Sequence, residues 1–239
     1  MADHIVKSYD AELSILGRKI AEMGGIAEMM LSQSIDALAS YDVELSDKVI
    51  LTDQRLDVLQ REIEEQAILT LARRQPMAVD LREIIVAIRV SGDLERVGDL
   101  AKNIAKRGKS ISSEVRTGRA VVGLKHMADI AAQQLKDVLD AYAAGDPERA
   151  IAVWTQDAEL DALEDSVFRD MLTFMMEDPR NISFCTHLLF CSKNIERIGD
   201  HTTNIAENVV YLATGQMLPT DRPKGGATGL GIAVEATTK

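Results

Sequence analysis

The stretch NIERIGDHTTNIAEN, residues 194–208, decides how this chain is organised, because residues 93–107 repeat it closely as DLERVGDLAKNIAKR. A constant offset of 101 residues superposes a Glu, an Arg, a Gly, an Asp and an Asn of the two copies. In a helix, the Glu, the Asp and the Asn are spaced four residues apart and share one face. Two carboxylates one turn apart repel each other, so both copies are predicted to hold positive charge on that face.

The composition indicates a soluble protein built from long helices. Apolar residues make up 46% of the 239 residues and charged residues 27%, whereas aromatic residues make up only 4%. The formal charge of −11 argues against nucleic acid as a partner, because phosphates need a basic surface. No signal peptide and no apolar run long enough to span a bilayer is present, so we expect a cytoplasmic protein. Cys185 and Cys191 share one predicted helix, and we expect two buried thiols and no disulfide.

Helical periodicity predicts an all-α fold of six long helices, arranged as two tandem three-helix bundles with an internal duplication. We expect the helices to end near residues 40, 74, 110, 145, 177 and 215, with breaks at Gln75-Pro76 and Asp178-Pro179. Asp146 is the predicted N-cap of the fifth helix, with Pro147 at its first position. The first bundle should cover residues 1–111, the second 112–216, and a disordered tail 217–239.

The duplication extends beyond the opening motif, although its offset changes along the chain. Tyr41 pairs with Tyr142 at the same offset of 101, whereas the aspartates of the second helix match those of the fifth at an offset of 104. We therefore expect a longer turn between the first two helices of the second half, because turns tolerate insertions.

Each half contains two acidic pairs spaced one helical turn apart, one on its middle helix and one on its last. Apolar residues occupy the other side of the last helices, so the acids are predicted to lie along the surface between the middle and last helices. Four carboxylates aimed at one spot repel, and multivalent cations would relieve that repulsion. Oxygen ligands suit Mg, Ca, Mn or ferric iron, with Asn103 and Asn204 as supporting ligands. The candidate metal ligands are Asp53, Asp57, Glu95, Asp99, Asp157, Asp161, Glu196 and Asp200.

Gly98 and Gly199 lie in the middle of the two motif helices, where a glycine costs about 1 kcal/mol relative to alanine. They predict the close approach of a neighbouring helix or of a ligand. The alternative for the acids is a solvated surface that binds no metal, with Arg96 and Arg197 offsetting part of the charge.

Catalytic motifs are missing from the sequence. Ferritin-like bundles bind two metals through Glu-x-x-His, but a glycine stands three residues after both Glu95 and Glu196. The four histidines have no ligand spacing, and His201 should point away from the acidic face. No phosphate-binding glycine loop, GxSxG or HExxH motif occurs. We therefore expect no enzyme and no catalytic residues, with a metal-dependent phosphohydrolase and a metal-free helical scaffold as the alternatives.

The segment ERIGDH followed by NIAEN, within residues 196–208, closely resembles the signature of the PhoU family of bacterial phosphate-uptake regulators. RRQP at 73–76 with DLR at 80–82 resembles the second turn of that family, and the resemblance covers about residues 8–215. It implies two tandem three-helix bundles in an elongated, gently curved molecule. It also implies multinuclear clusters of iron or zinc on the E/D-x-x-x-D motifs, which here are the eight acids named above.

The resemblance further implies a cytoplasmic, non-catalytic regulator that is often a homodimer. Such a regulator restrains the phosphate-starvation genes when phosphate is plentiful, through a sensor histidine kinase and the ATPase subunit of the phosphate transporter. It would lie against these membrane complexes without spanning the membrane. The two halves differ at one turn, where EDPR at 177–180 replaces RRQP, so any role of the basic turn would belong to the first half.

Overall fold

The computed structural model describes the backbone of residues 2–74, 79–111 and 118–219. In these ranges the chain forms six long α-helices, a single 3-10 turn at Pro179–Asn181 and no strand. The helices are α1 Ala2–Ser40, α2 Val43–Arg74, α3 Val79–Ser110, α4 Gly118–Ala144, α5 Pro147–Glu177 and α6 Ile182–Thr214. The predicted all-α fold is confirmed. The break at Gln75-Pro76 and residues 220–239 of the expected disordered tail lie outside the described residues.

The N-terminus of α5 follows the prediction. The side chain of Asp146 accepts hydrogen bonds from the backbone N–H groups of Glu148 and Arg149, at 3.0 and 3.1 Å, and Pro147 opens the helix. In the first half, the backbone N–H of Leu45 donates to Oδ1 of Asp42 at 2.9 Å. Both middle helices thus begin with an aspartate cap that satisfies N–H groups left without an intrahelical acceptor.

The turns before these caps have the same length in both halves, which corrects the predicted pairing of Tyr41 with Tyr142. The backbone N–H of Asp42 donates to the carbonyl of Ala37, and that of Asp146 donates to the carbonyl five residues before it. The residue before each cap has a left-handed backbone, with φ of 58° at Tyr41 and 63° at Gly145. Tyr41 therefore superposes on Gly145 at an offset of 104, and the prediction of a longer turn is wrong.

The helices of each half pack on one another, and the two halves also join directly. α3 packs against α6 and α1 against α4, so one cluster of buried apolar side chains runs through both halves. Cys185 and Cys191 are buried free thiols of this core, as predicted. Among the described residues, no helix combines the length and the hydropathy that a bilayer-spanning segment needs.

At Gly98 and Gly199 the last helix of each half is in close contact with the middle helix. A Cβ atom on Gly98 would overlap the side chain of Leu56, and one on Gly199 would overlap Leu160. Both leucines are fully buried. The predicted close approach of a neighbouring helix is confirmed, and it fixes the height at which the acids of α2 and α5 face those of α3 and α6.

Candidate functional site

The first seam is the surface strip where α2 meets α3, and it brings together the four acids predicted for the first half. Asp53 is only 5% exposed, and Asp57, Glu95 and Asp99 are half-buried. Burial raises the pKa of Glu95 above its ordinary value, and the charges of Asp99, Asp57 and Asp53 raise it further, whereas Arg96 lowers it. The four carboxylates are therefore close enough to interact electrostatically.

Lys102 lies between the acids of the first seam and was not among the predicted site residues. Its Nζ lies 2.5 Å from Oδ2 of Asp53 on α2 and also donates to Oδ1 of Asp99 on α3. Burial favours the neutral amine, but the hydrogen bonds to Asp53 and Asp99 outweigh it and raise the pKa of Lys102. Burial raises the pKa of Asp53, an effect that Lys102 opposes only in part. The first seam thus contains its own ammonium ion.

The second seam is the corresponding strip where α5 meets α6. Asp157 is 9% exposed, Glu196 and Asp200 are half-buried, and Asp161 is exposed. Oε2 of Glu196 is buried and has no hydrogen-bond partner, while its Oε1 accepts from Nζ of Lys193 at 2.8 Å. The repeat therefore places the acids at equivalent positions, but their partners differ.

Thr203 stands in the second seam at the position that corresponds to Lys102 in the first. Its side chain is buried, and its hydroxyl donates to the backbone carbonyl of Asp200 at 2.8 Å. A neutral hydroxyl therefore replaces the ammonium group. This difference between the repeats can be read from the sequence, because Lys102 lies three residues after Asp99 on the acidic face.

Glu164 adds another carboxylate to the second seam and was also missed. Its counterpart in the first half, at the offset of 104, is Gln60. Burial raises the pKa of Glu164, Lys193 lowers it, and the charges of Glu196 and Asp161 raise it. The differences at Thr203 and at Glu164 each make the second seam more negative by one charge, and Lys193, whose counterpart is Gly92, returns one positive charge.

The two asparagines proposed as supporting ligands lie at the margins of the seams. Asn103 is exposed. Nδ2 of Asn204 lies 3.4 Å from Oδ1 of Asp93 in the other half, and Nδ1 of His201 lies 3.0 Å from the same oxygen. Asn204 and His201 therefore join the halves, and His201 points off the acidic face of its own helix toward Asp93 of the other half, in agreement with the prediction.

A groove of about 520 Å³ lies beside this junction, between α3 and α6. Arg89 and Arg96 line it together with Asp93, His201 and other polar side chains, so charges of both signs face its interior. Nη1 of Arg89 donates to Oδ1 of Asn208 at 3.5 Å across the boundary. The groove is thus a polar part of the interface between the halves.

The seams differ in how well they fit a metal ion. Within the part of the chain whose side chains are described, no group of three or more His, Cys, Asp or Glu side chains is arranged to hold one. The first seam does not fit an added cation, because the ammonium of Lys102 already bridges its two helices. The second seam offers carboxylate oxygens, the donors that hard cations prefer, and the orphaned Oε2 of Glu196. Metal ligation by the eight acids stays a prediction.

Comparison with known proteins gives one consistent family. The model of the PhoU domain matches twice, at residues 20–108 and 124–209. The chain is 53% identical over 225 residues to the phosphate-specific transport system accessory protein PhoU homolog of Rhizobium meliloti strain 1021, covering 94% of this chain and 95% of that protein. It is 48% identical over 224 residues to the protein of the same name from Caulobacter vibrioides strain NA1000, covering 94% and 97%.

Solved structures agree with the sequence relatives. PhoU from Pseudomonas aeruginosa superposes with a TM-score of 0.84 at 36% identity, covering 87% of this chain and all of that one. The phosphate transport system regulatory protein PhoU from Streptococcus pneumoniae superposes with a TM-score of 0.82 at 28% identity, covering 88% and 99%. Because the domain model matches both halves and the relatives align over nearly their whole length, this chain belongs to the PhoU family.

Proposed function

We propose that this chain is an accessory regulator of phosphate uptake. The observation that carries this function is its 53% identity to a phosphate-specific transport system accessory protein over 94% of the chain and 95% of that relative. An alignment of this extent includes both repeats and both seams, so the relative and this chain share the whole two-bundle scaffold.

Within that role, we infer that the protein is a non-catalytic cytoplasmic adaptor. It would act as a homodimer between the ATPase subunit of the phosphate transporter and a sensor histidine kinase, and it would hold the phosphate-starvation genes off when phosphate is plentiful. The two repeats present different charge at equivalent seams, so one chain offers two non-identical surfaces. Such a chain suits two different partners better than an exact duplication does.

The adaptor role is tested by deleting the gene and measuring a phosphate-starvation reporter in phosphate-rich medium. We expect the reporter to switch on and a plasmid copy of the gene to switch it off again. A reporter that stays off in the deletion strain would contradict the proposed regulation. Pull-down of the transporter ATPase subunit and of the kinase by the purified chain tests the two contacts separately, and light scattering measures the homodimer.

We also propose that the second seam binds multivalent cations, with iron or zinc first and Mg, Mn or Ca as the other candidates. Asp157, Asp161, Glu164, Glu196 and Asp200 would supply the oxygen ligands after changes of rotamer. A bound cation would neutralise part of the repulsion between these acids. Elemental analysis of protein purified without chelator tests this binding, with Glu196→Gln as the matched variant, since it removes one charge and keeps the shape. Wild-type protein that carries no metal would contradict it.

A further inference from the structure

The two seams use the same acidic motif but differ in the source of their positive charge. We propose that Lys102 is a built-in counter-ion that takes the place of a metal ion in the first seam, so that cation binding is confined to the second seam. This inference deepens the proposed metal binding and rests on it for the second seam only. It departs from the expectation, drawn from the family resemblance, that both repeats carry metal.

The position of Lys102 is that of a bridging cation. Its ammonium group bonds a carboxylate from each of the two helices, Asp53 on α2 and Asp99 on α3. Only 19% of the Lys102 side chain and 7% of the Asp53 side chain are exposed. A metal ion entering here would meet a fixed positive charge, and displacing Lys102 would leave that charge and the buried Asp53 to find new partners.

The second seam lacks this arrangement at the equivalent position. The hydroxyl of Thr203 is occupied with the backbone carbonyl of Asp200 and carries no charge. Lys193 bonds Glu196 from the outer edge, and its side chain is 56% exposed, so it can move into solvent at little cost. Its counterpart in the first half is Gly92. The ammonium group of Lys193 is therefore mobile and peripheral, whereas that of Lys102 is largely shielded from solvent and bridges the two helices of the first seam.

A reciprocal exchange at the two positions tests the inference in the full-length chain. Apo protein is prepared with chelator and titrated with Zn²⁺ by calorimetry, and bound zinc is counted after desalting. Lys102→Thr should create a new zinc site, and Thr203→Lys should weaken the second-seam site by roughly tenfold or more, because it adds a charge beside the ligands. In chains that keep Lys102 and Thr203, the double substitution Glu196→Gln and Asp200→Asn should abolish zinc binding. The double substitution Glu95→Gln and Asp99→Asn should leave zinc binding unchanged.

The first seam can be tested alone in a chain whose second-seam site has been removed, with separate controls for folding. In chains that carry Glu196→Gln and Asp200→Asn, adding Lys102→Thr should make Zn²⁺ raise the melting temperature, whereas the same chains with Lys102 intact should show no shift. Lys102→Met, which keeps the length of the side chain, serves if the threonine variant does not fold. Circular dichroism verifies that each variant is helical before titration.

The outcomes separate this inference from the proposed function. Two results would overturn the role of Lys102 as a counter-ion. One is a folded Lys102→Thr or Lys102→Met variant that binds no additional zinc. The other is loss of zinc binding when Glu95→Gln and Asp99→Asn are introduced into the otherwise wild-type chain. If wild-type protein binds no zinc but the Lys102 variant does, the counter-ion is supported and the proposed metal binding of the second seam fails. If the wild-type protein binds zinc at the second seam and the Lys102 variant binds it at the first seam as well, the inference and the proposed metal binding are both supported.

Discussion

Nδ1 of His201 lies 3.0 Å from Oδ1 of Asp93, although these residues are 108 positions apart and belong to different repeats. The same aspartate oxygen lies 3.4 Å from Nδ2 of Asn204. Asp93 thus receives two side chains of α6 at the boundary between the halves. The opening motif of each repeat therefore has two faces, one that forms a seam and one that joins the repeats.

We expect Asp93→Ala to lower the free energy of unfolding by about 1–2 kcal/mol, because it leaves His201 and Asn204 without their shared acceptor. Both members of the His201–Asp93 pair are largely buried, with side-chain exposures of 18% and 16%. Urea unfolding measures the loss. The control is Lys125→Gln, which removes an exposed contact of 4.0 Å to Asp36 across the same two halves and should cost less than about 0.5 kcal/mol. Equal losses in the two variants would contradict the importance of Asp93.

Gly98→Ala should destabilise the protein although alanine is the better helix former. Alanine gains about 1 kcal/mol in helix propensity, but its Cβ overlaps the fully buried Leu56, and overpacking costs about 1–3 kcal/mol. The control is Gly17→Ala on α1, where a Cβ meets nothing within 4 Å and should stabilise by about 1 kcal/mol.

A double-mutant cycle identifies the steric cause. Leu56→Ala alone leaves a cavity, but combined with Gly98→Ala it removes the overlap. The two changes should then couple favourably by at least about 0.5 kcal/mol. If the free-energy changes of the two substitutions were strictly additive, the cost of Gly98→Ala would not come from overlap with Leu56 of α2.

The features that could be predicted from sequence are those set within one helix or one turn. The spacing of acids every four residues, the Asp146 cap and the mid-helix glycines each act locally, and each is where it was expected. The contact of Lys102 with Asp53 depends on the height at which α2 lies on α3, which the packing of Leu56 over Gly98 sets. The contact of His201 with Asp93 depends on the crossing of α3 and α6, and no spacing in the chain encodes it.

The turn at Tyr41 was misplaced for a related reason. Side chains with a Cβ rarely adopt a positive φ, so a tyrosine there gives no sequence signal, whereas the glycine at 145 does. Tyr41 and Tyr142 are the same residue type, but they are not structurally equivalent. The equivalent positions are Tyr41 and Gly145, because each has a positive φ and directly precedes the aspartate cap.

Glu164→Gln should stabilise metal-free protein at neutral pH. Burial, together with the charges of Glu196 and Asp161, raises the pKa of Glu164 in the folded state above its ordinary value of 4.5, although Lys193 opposes the rise. A carboxyl with a raised folded pKa binds protons more tightly in the folded state, so the cost of its charge is present above that pKa and is lost as the pH falls through it. We expect a gain of a few tenths of a kcal/mol at pH 7, since the group is partly solvated.

The gain should shrink as the pH is lowered and vanish below the ordinary pKa of 4.5, where the wild-type carboxyl is protonated in both states. Thermal unfolding of chelator-treated protein across this range measures it. Glu159→Gln, at an exposed position of the same helix, is the control and should change stability less. If the stability gained by Glu164→Gln increased as the pH was lowered, the result would contradict charge repulsion at Glu164 in the second seam.

Cys185 and Cys191 should resist thiol reagents in the native protein. Both are fully buried, and burial raises the pKa of Cys191 to about 12, so almost none of the reactive thiolate exists near pH 8. A disulfide-exchange reagent should therefore label neither thiol under native conditions and both in concentrated guanidinium chloride. Because these residues lie on α6 in the core, the native labelling rate also reports how often that helix opens. Rapid native labelling of either thiol would show that α6 separates from the core far more often than its burial implies.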